Sequence, residues 1–210
     1  MTALTVMQAF ELMQVKKGNT IFISGGTGGV GAMAITLAKA KGLKVITNGS
    51  VENKERVLAL GADRFIDYKT EDYTQTVANV DYVLDTLGGQ ETEKQMTIMK
   101  KGGQLVSLKG IPNGAFAKRM GFTGLKRLLF SFAGRKFDKM AQKYGVTYNF
   151  IFVQANGAQL TEVAKLFTKL ELKPSLDTVY AFSDVNAALD KVANGRSRGK
   201  TVLDLQQGEK

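Results

Sequence analysis

"SGGTGGVG", residues 24–31, sets five glycines in eight positions between an apolar run and an amphipathic one. The run before it, "TIFIS" (20–24), reads as a buried strand. Residues 29–41 read as a helix with Val30, Met33, Ala34, Leu37 and Ala38 on one face and Gly42 as its stop. Gly26, Gly28 and Gly31 satisfy G-x-G-x-x-G, a weak signal alone. Its context gives it weight: a strand before, a helix after, and a second strand, "KVIT" (44–47), about 20 residues on. Small residues let the backbone approach a pyrophosphate, and the unpaired N–H groups of the helix N-terminus meet its charge. Gly31 allows the helix to pack closely on the strand.

The strand–helix rhythm continues in both directions. Residues 5–15 predict a short helix with Val6, Ala9, Phe10 and Met13 on one face. "ENKERVLAL" (52–60) reads as a helix and "RFIDY" (64–68) as a strand. "YTQTVAN" (73–79) is a helical link and "DYVLDT" (81–86) a strand. "TEKQMTIM" (92–99) is a helix, "QLVSL" (104–108) a strand, "FIFV" (150–153) a sixth strand, and residues 158–170 a helix. The class is therefore α/β: a Rossmann, doubly wound, parallel six-stranded sheet with ligand at the strands' carboxyl ends. "KPSLDTVYAF" (173–182), "SDVNAALDKVANG" (183–195) and "KTVLDL" (200–205) add a C-terminal strand–helix–strand tail, extending that sheet or forming another layer. Two regions are expected: 1–172, a nucleotide-binding domain with a preceding linker helix and a basic helical insertion at about 112–146, and the tail, 173–210.

The composition narrows the chemistry. The 210 residues include no Cys and no His, so disulfides, thiolate nucleophiles, Ser–His triads and imidazole acid–base steps are excluded within the chain. Carboxylates and carbonyls alone make a poor zinc set, so no metal ligand is assigned. No apolar run approaches the ~18–20 residues of a membrane span. The first residues carry Glu11 and no basic cluster, so a secretory signal is not expected and a cytoplasmic location is.

Two rival readings of the glycines fail. The short-chain dehydrogenases write T-G-x-x-x-G-x-G, with Ser24 in the Thr place, and need a Tyr followed four residues later by Lys. Here the residues four beyond the tyrosines are Asp72, Val77, Thr86, Tyr148, Phe152 and Asp184. A P-loop needs Gly-Lys-Ser/Thr after the glycines, and none follows.

Taken together, "TALTVMQAFELMQVKKGNTIFISGGTGGVGAMAITLAKAKGLKVI" (2–46), "LGADRFIDYKTEDY" (60–73), "DYVLDTLGG" (81–89), "KKGGQLVSLKG" (100–110) and "GKTVL" (199–203) resemble the medium-chain dehydrogenase/reductase superfamily, in its zinc-independent quinone oxidoreductase-like branch. The resemblance implies an NADPH-dependent oxidoreductase acting on a small-molecule quinone or α,β-unsaturated carbonyl. It also implies a homo-oligomer in which the sixth strand pairs across a two-fold. In that family a separate GroES-like substrate domain precedes the helix at which Met1 falls. Most of that domain is therefore expected to be missing, and the tail is expected to return to it. A non-catalytic NADPH-binding module, or half of a split reductase, is the alternative.

The cofactor reading rests partly on charge. Thr47, Asn48, Gly49 and Ser50 end the second strand without the carboxylate that accepts from a ribose 2′-OH. That favours NADP(H), although Glu52 nearby favours NAD. The resemblance assigns Gly49 or Ser50 and Lys54 to the 2′-phosphate, with Tyr68 alongside, and Asn48 is counted among the cofactor-binding residues. The alternative for Lys54 is a solvated helix residue paired with Glu55 or its neighbours. Thr27, Gly28, Gly29 and Val30 would surround the pyrophosphate. Leu87 and Gly88, Lys109 and Gly110, and Phe150 and Phe152 would line the nicotinamide ribose and carboxamide, unless the two phenylalanines are core. Lys200 would reach the cofactor or lie on the surface. No residue is assigned a catalytic role, because the hydride chemistry belongs to the cofactor.

The formal net charge is +10, and residues 100–143 hold eleven Lys or Arg against Asp138 alone. Helical spacing puts Leu125, Leu128, Leu129 and Phe132 on one side and Lys126 and Arg127 on another. A cover over the cofactor cleft and a subunit contact are the favoured readings. A membrane surface is a lesser one. Nucleic acid is not expected, since no recognition motif accompanies the charge.

Overall fold

The computed structural model describes residues 1–171, 176–194 and 199–206. Helix α1 (Thr2–Met13) leads into β1 (Thr20–Ile23), the glycine turn and α2 (Gly29–Ala40). Then follow β2 (Lys44–Gly49), α3 (Lys54–Ala59), β3 (Arg64–Asp67), α4 (Tyr73–Thr76), β4 (Val80–Asp85), α5 (Gln90–Thr97) and β5 (Met99–Ser107). Helices α6 (Gly114–Arg119) and α7 (Gly124–Tyr144) precede β6 (Thr147–Phe150) and α8 (Gly157–Lys169). The described residues end with β7 (Leu176–Ala181), α9 (Val185–Ala193) and β8 (Lys200–Asp204).

Six strands form one parallel sheet in the order β3-β2-β1-β4-β5-β6. Alternation within the strands feeds two cores, one on each face. Ile21 and Ile23 of β1 face a core built with Phe10 and Met13 of α1, Leu37 of α2 and Val163 of α8. Phe22, between them, faces the other core with Tyr73 of α4, Met96 of α5, and Phe137 and Ala141 of α7. The order reverses between β1 and β4, and in open α/β sheets that switch point opens a crevice beyond the strands' carboxyl ends.

The sixth strand differs from expectation. It is "TYNF", 147–150, and "FIFV" lies mostly beyond it. Register explains the shift. Leu105 pairs with Tyr148, Val106 with Asn149 and Ser107 with Phe150, so β6 ends where β5 ends. An apolar run signals burial but not the point at which the neighbouring strand runs out. Phe152 is accordingly 66% exposed and is not core.

The tail's open alternative is settled in favour of another layer. Among the described residues, β7 and β8 pair only with each other, in parallel, joined by α9. Lys191 of α9 fixes the unit through Asp177 at 2.9 Å and through the Thr178 hydroxyl. Lys173, where the tail was expected to begin, lies outside the described residues.

Candidate functional site

The glycine turn is clamped between the strands on either side of β1. Ser24, fully buried, donates its amide to the Leu84 carbonyl of β4, and its hydroxyl accepts the Thr86 amide at 2.9 Å. On the β2 side, the Gly25 amide donates to Asn48 Oδ1 at 2.8 Å and the Gly26 amide to the Asn48 carbonyl at 3.1 Å. A Cβ on Gly31 would overlap the Gly25 carbonyl oxygen and the Gly26 Cα, so α2 can meet the turn this closely only with glycine there. Gly28 caps α2 with no side-chain hydrogen bond, leaving the first-turn amides without a side-chain acceptor. This is the arrangement an anion needs at a helix N-terminus.

Two cations stand at this turn. Arg56 of α3 donates Nη2 to the Thr27 carbonyl at 2.7 Å. Lys200, at the start of β8, holds its Nζ 3.5 Å from where a Cβ on Gly29 would stand.

A cleft of about 740 Å³ opens beside the turn. Thr27, Asn48, Gly49, Tyr68 and Leu87 line it, while Gly28, Gly29 and Val30 form the adjoining first turn of α2. Gly49 is needed for closeness, since a Cβ there would strike the Thr27 methyl. Ser50 is half-buried just past β2, where it caps a 3-10 turn. Lys54 does not reach the wall; it is exposed on the first turn of α3. Lys69 is on the wall instead and pairs with Glu52 at 3.3 Å. Tyr73, at the far wall, donates to Glu91 at 3.0 Å; burial, and then the Glu91 charge, push its phenol well above the usual range.

The remaining expected residues sit apart from that cleft. Lys109 is exposed, and a Cβ on Gly88 would press against it, so the turns after β4 and β5 abut. Gly110 lies against the hydroxyl of Tyr148, which donates to the Ile111 carbonyl at 2.9 Å. Phe150 and Phe152 line a second cleft, of about 450 Å³, with Glu11, Arg119 and Gln159. Phe150 meets Phe116 edge-on at 5.1 Å. Arg119 donates to the Phe150 carbonyl at 2.7 Å, and burial lowers its pKa from the usual arginine value.

Asp85, at the end of β4, is one of the residues that sequence reasoning missed. It is fully buried. Its Oδ1 accepts from the amides of Leu87 at 3.0 Å and Gly88 at 2.8 Å and from Gln95 at 3.2 Å. Its Oδ2 accepts from the hydroxyls of Thr92 and Ser107, both at 2.7 Å. A buried carboxylate is tolerated only when so satisfied. Five donors make it the hub that shapes the 87–88 turn. Its signal was a second acidic residue, after Asp81, closing the strand three residues before a glycine pair.

Residues 60–203 match the family model described as zinc-binding dehydrogenase, and the chain belongs to that family. It is 31% identical over 195 residues to the mitochondrial NAD(P)H oxidoreductase RTN4IP1 of Danio rerio, covering 90% of this chain and 50% of that protein. The Homo sapiens counterpart is 33% identical over 193 residues, covering 90% and 48%. The quinone oxidoreductase of Coxiella burnetii superposes with a TM-score of 0.79 at 28% identity, over 97% of this chain and 58% of that one. The expected membership of the medium-chain dehydrogenase/reductase superfamily therefore holds. The chain spans about half the length of the curated relatives it matches.

One expectation falls. Relatives 31–33% identical to this chain are named mitochondrial, and that overturns the cytoplasmic assignment. The family's description names zinc, but the residues present do not fit it. There is no His and no Cys, and among the described residues no group of three or more Asp or Glu stands close enough to hold a metal.

Proposed function

We propose that this chain is the cofactor-binding part of an NADPH-dependent oxidoreductase that reduces a quinone or an α,β-unsaturated carbonyl. The observation that carries the reading is the clamped turn. Residues 24–31 are held from both sides, the first amides of α2 lack a side-chain cap, and Arg56 and Lys200 stand beside them. A diphosphate bridge fits that cradle. When bound, the nicotinamide cofactor supplies the hydride.

The chain's own residues orient and select. Asp85 fixes the Leu87–Gly88 turn against Lys109, which gives the nicotinamide ribose a rigid edge. Thr27, Asn48, Gly49 and Tyr68 form the adenosine side. Preference for the 2′-phosphate is supported by the neutral end of β2 and by Lys69, which engages the nearby Glu52 carboxylate. Lys69 is better placed for this than Lys54. The division at about residue 172 belongs to the same proposal, with β7–α9–β8 as the part that meets a substrate domain.

The test is titration with NADPH and NADH, followed by turnover with a panel of quinones and enones. Tighter NADPH binding, weakened by Lys69→Ala and little by Lys54→Ala, supports the selectivity. Equal affinity for the two nucleotides removes it. Binding without turnover by this chain supports instead a non-catalytic module or half of a split reductase.

A further inference from the structure

Helix α7 has two faces, and among the described residues only one is used by the fold. Phe137 and Ala141 are buried against the sheet and its helices, and Gly134 against Pro112 and Asn113. Near the start of the helix, Phe130 packs on Phe116 and Phe122, tying α7 to α6. Helical spacing places Leu125, Leu128, Leu129 and Phe132 on the side opposite the buried stripe. All four are between 61% and 76% exposed. Two turns further on, the same outward side carries Arg135, Lys136 and Lys139, also exposed.

Among the described residues, no acidic group pairs with the cations of this face. Asp138, the only carboxylate of residues 100–143, projects to the flank and accepts from Asn113 at 2.6 Å. Among the described residues, Arg135, Lys136 and Lys139 make no ion pair. Lys143, at the end of the row, is already engaged, 3.6 Å from Glu93 and over the Tyr144 ring.

We propose that the outward face of α7 docks on an anionic phospholipid surface, the helix lying in the plane of the interface. Four large apolar side chains enter the headgroup–acyl boundary, and the following cations meet lipid phosphate. The charge pattern selects this occupant. A second copy packed in parallel would set cations against cations, and one packed antiparallel over the same span would press its cations onto the partner's apolar side chains. A nucleic acid would match the cations but leave Leu125, Leu128, Leu129 and Phe132 unburied. Among the described residues, no helix is long and apolar enough to cross a membrane, which matches a helix that lies on it. The inference stands apart from the cofactor reading.

Vesicle co-sedimentation of the full chain tests it, with phosphatidylcholine alone and with phosphatidylglycerol added. The chain is expected to sediment with the anionic vesicles at low salt, to be released by high salt, and to ignore the zwitterionic ones. Arg135→Glu with Lys136→Glu should weaken binding at least about tenfold. Leu128→Asp with Phe132→Asp should abolish it while all cations remain. Unchanged far-UV circular dichroism would show both variants folded. The chain has no cysteine, so Leu129→Cys carries a single environment-sensitive dye whose emission should shift to the blue on anionic vesicles. No sedimentation with anionic vesicles at low salt overturns the proposal. So does binding that both double variants retain, or self-association in sedimentation velocity that Leu128→Asp with Phe132→Asp abolishes, which would make a second copy the occupant.

Discussion

Lys200 brings its ammonium to Gly29, within 3.5 Å of the place a side chain there would begin. One residue is the first of the last strand and the other is the first of the helix that follows the glycine turn. A residue distant in sequence thus completes the positive end of α2, where a charge-assisted contact to a phosphate is strong. We predict that Lys200→Met lowers NADPH affinity about 3- to 10-fold, worth about 1 kcal/mol. Isothermal titration at two ionic strengths checks this, and the difference should shrink as salt rises. An unchanged dissociation constant at low salt would remove Lys200 from the site.

Gly31→Ala should cost stability as well as binding. The added methyl collides with backbone at Gly25 and Gly26, which has no flexible end to swing away. A loss of about 1–3 kcal/mol is expected from forcing α2 off the turn. Thermal melts with and without NADPH measure both parts. A variant as stable as the parent would show that α2 has room to retreat.

Asp85→Asn keeps the shape of the side chain but replaces an acceptor oxygen with a donor among five donors. We predict a loss of about 2–3 kcal/mol in urea denaturation, because the displaced groups are buried. The Leu87 and Gly88 amides should also gain hydrogen exchange. Protection unchanged at those two amides would count against Asp85 as the organiser of the turn.

Asp63 is one local source of acid sensitivity. Burial works against its anion, but hydrogen bonds from Lys39 and from the Val45 amide outweigh it and hold its pKa below the usual value of 3.8. A lowered folded pKa stabilises above about pH 4 and is lost as pH falls through the folded value. Both side chains are partly exposed, so solvent screens the pair and the contribution is under about 1 kcal/mol. Asp63→Asn should flatten the stability curve below pH 4 by that small amount. An unchanged acid limb would place the sensitivity elsewhere.

The sequence made the sheet readable because parallel strands buried on both faces are short apolar runs, and each here is followed by a helix of period 3.6. It made the turn readable because only glycine fits where α2 crosses Gly25. Registers were less accessible. "FIFV" looked like a strand, and nothing local says that β5 stops at Ser107. The site's polar supports were hidden for a related reason. Asp85, Arg56 and Lys69 take their roles from partners on other elements, whereas Lys54, assigned by resemblance, is exposed on α3 and does not line the cleft. The amphipathicity of α7 was visible, but which of its two apolar stripes would be left outside was not.

The α6–α7 hairpin leaves and re-enters the sheet between two strands that are direct neighbours, with Gln104 still opposite Thr147 and Ser107 opposite Phe150. The ladder closes beneath the excursion as though it were a simple crossover. Lengthening, trimming or recharging the hairpin's outer side therefore leaves the strand pairing untouched. Evolution can retune where such a molecule adheres without renegotiating how it folds.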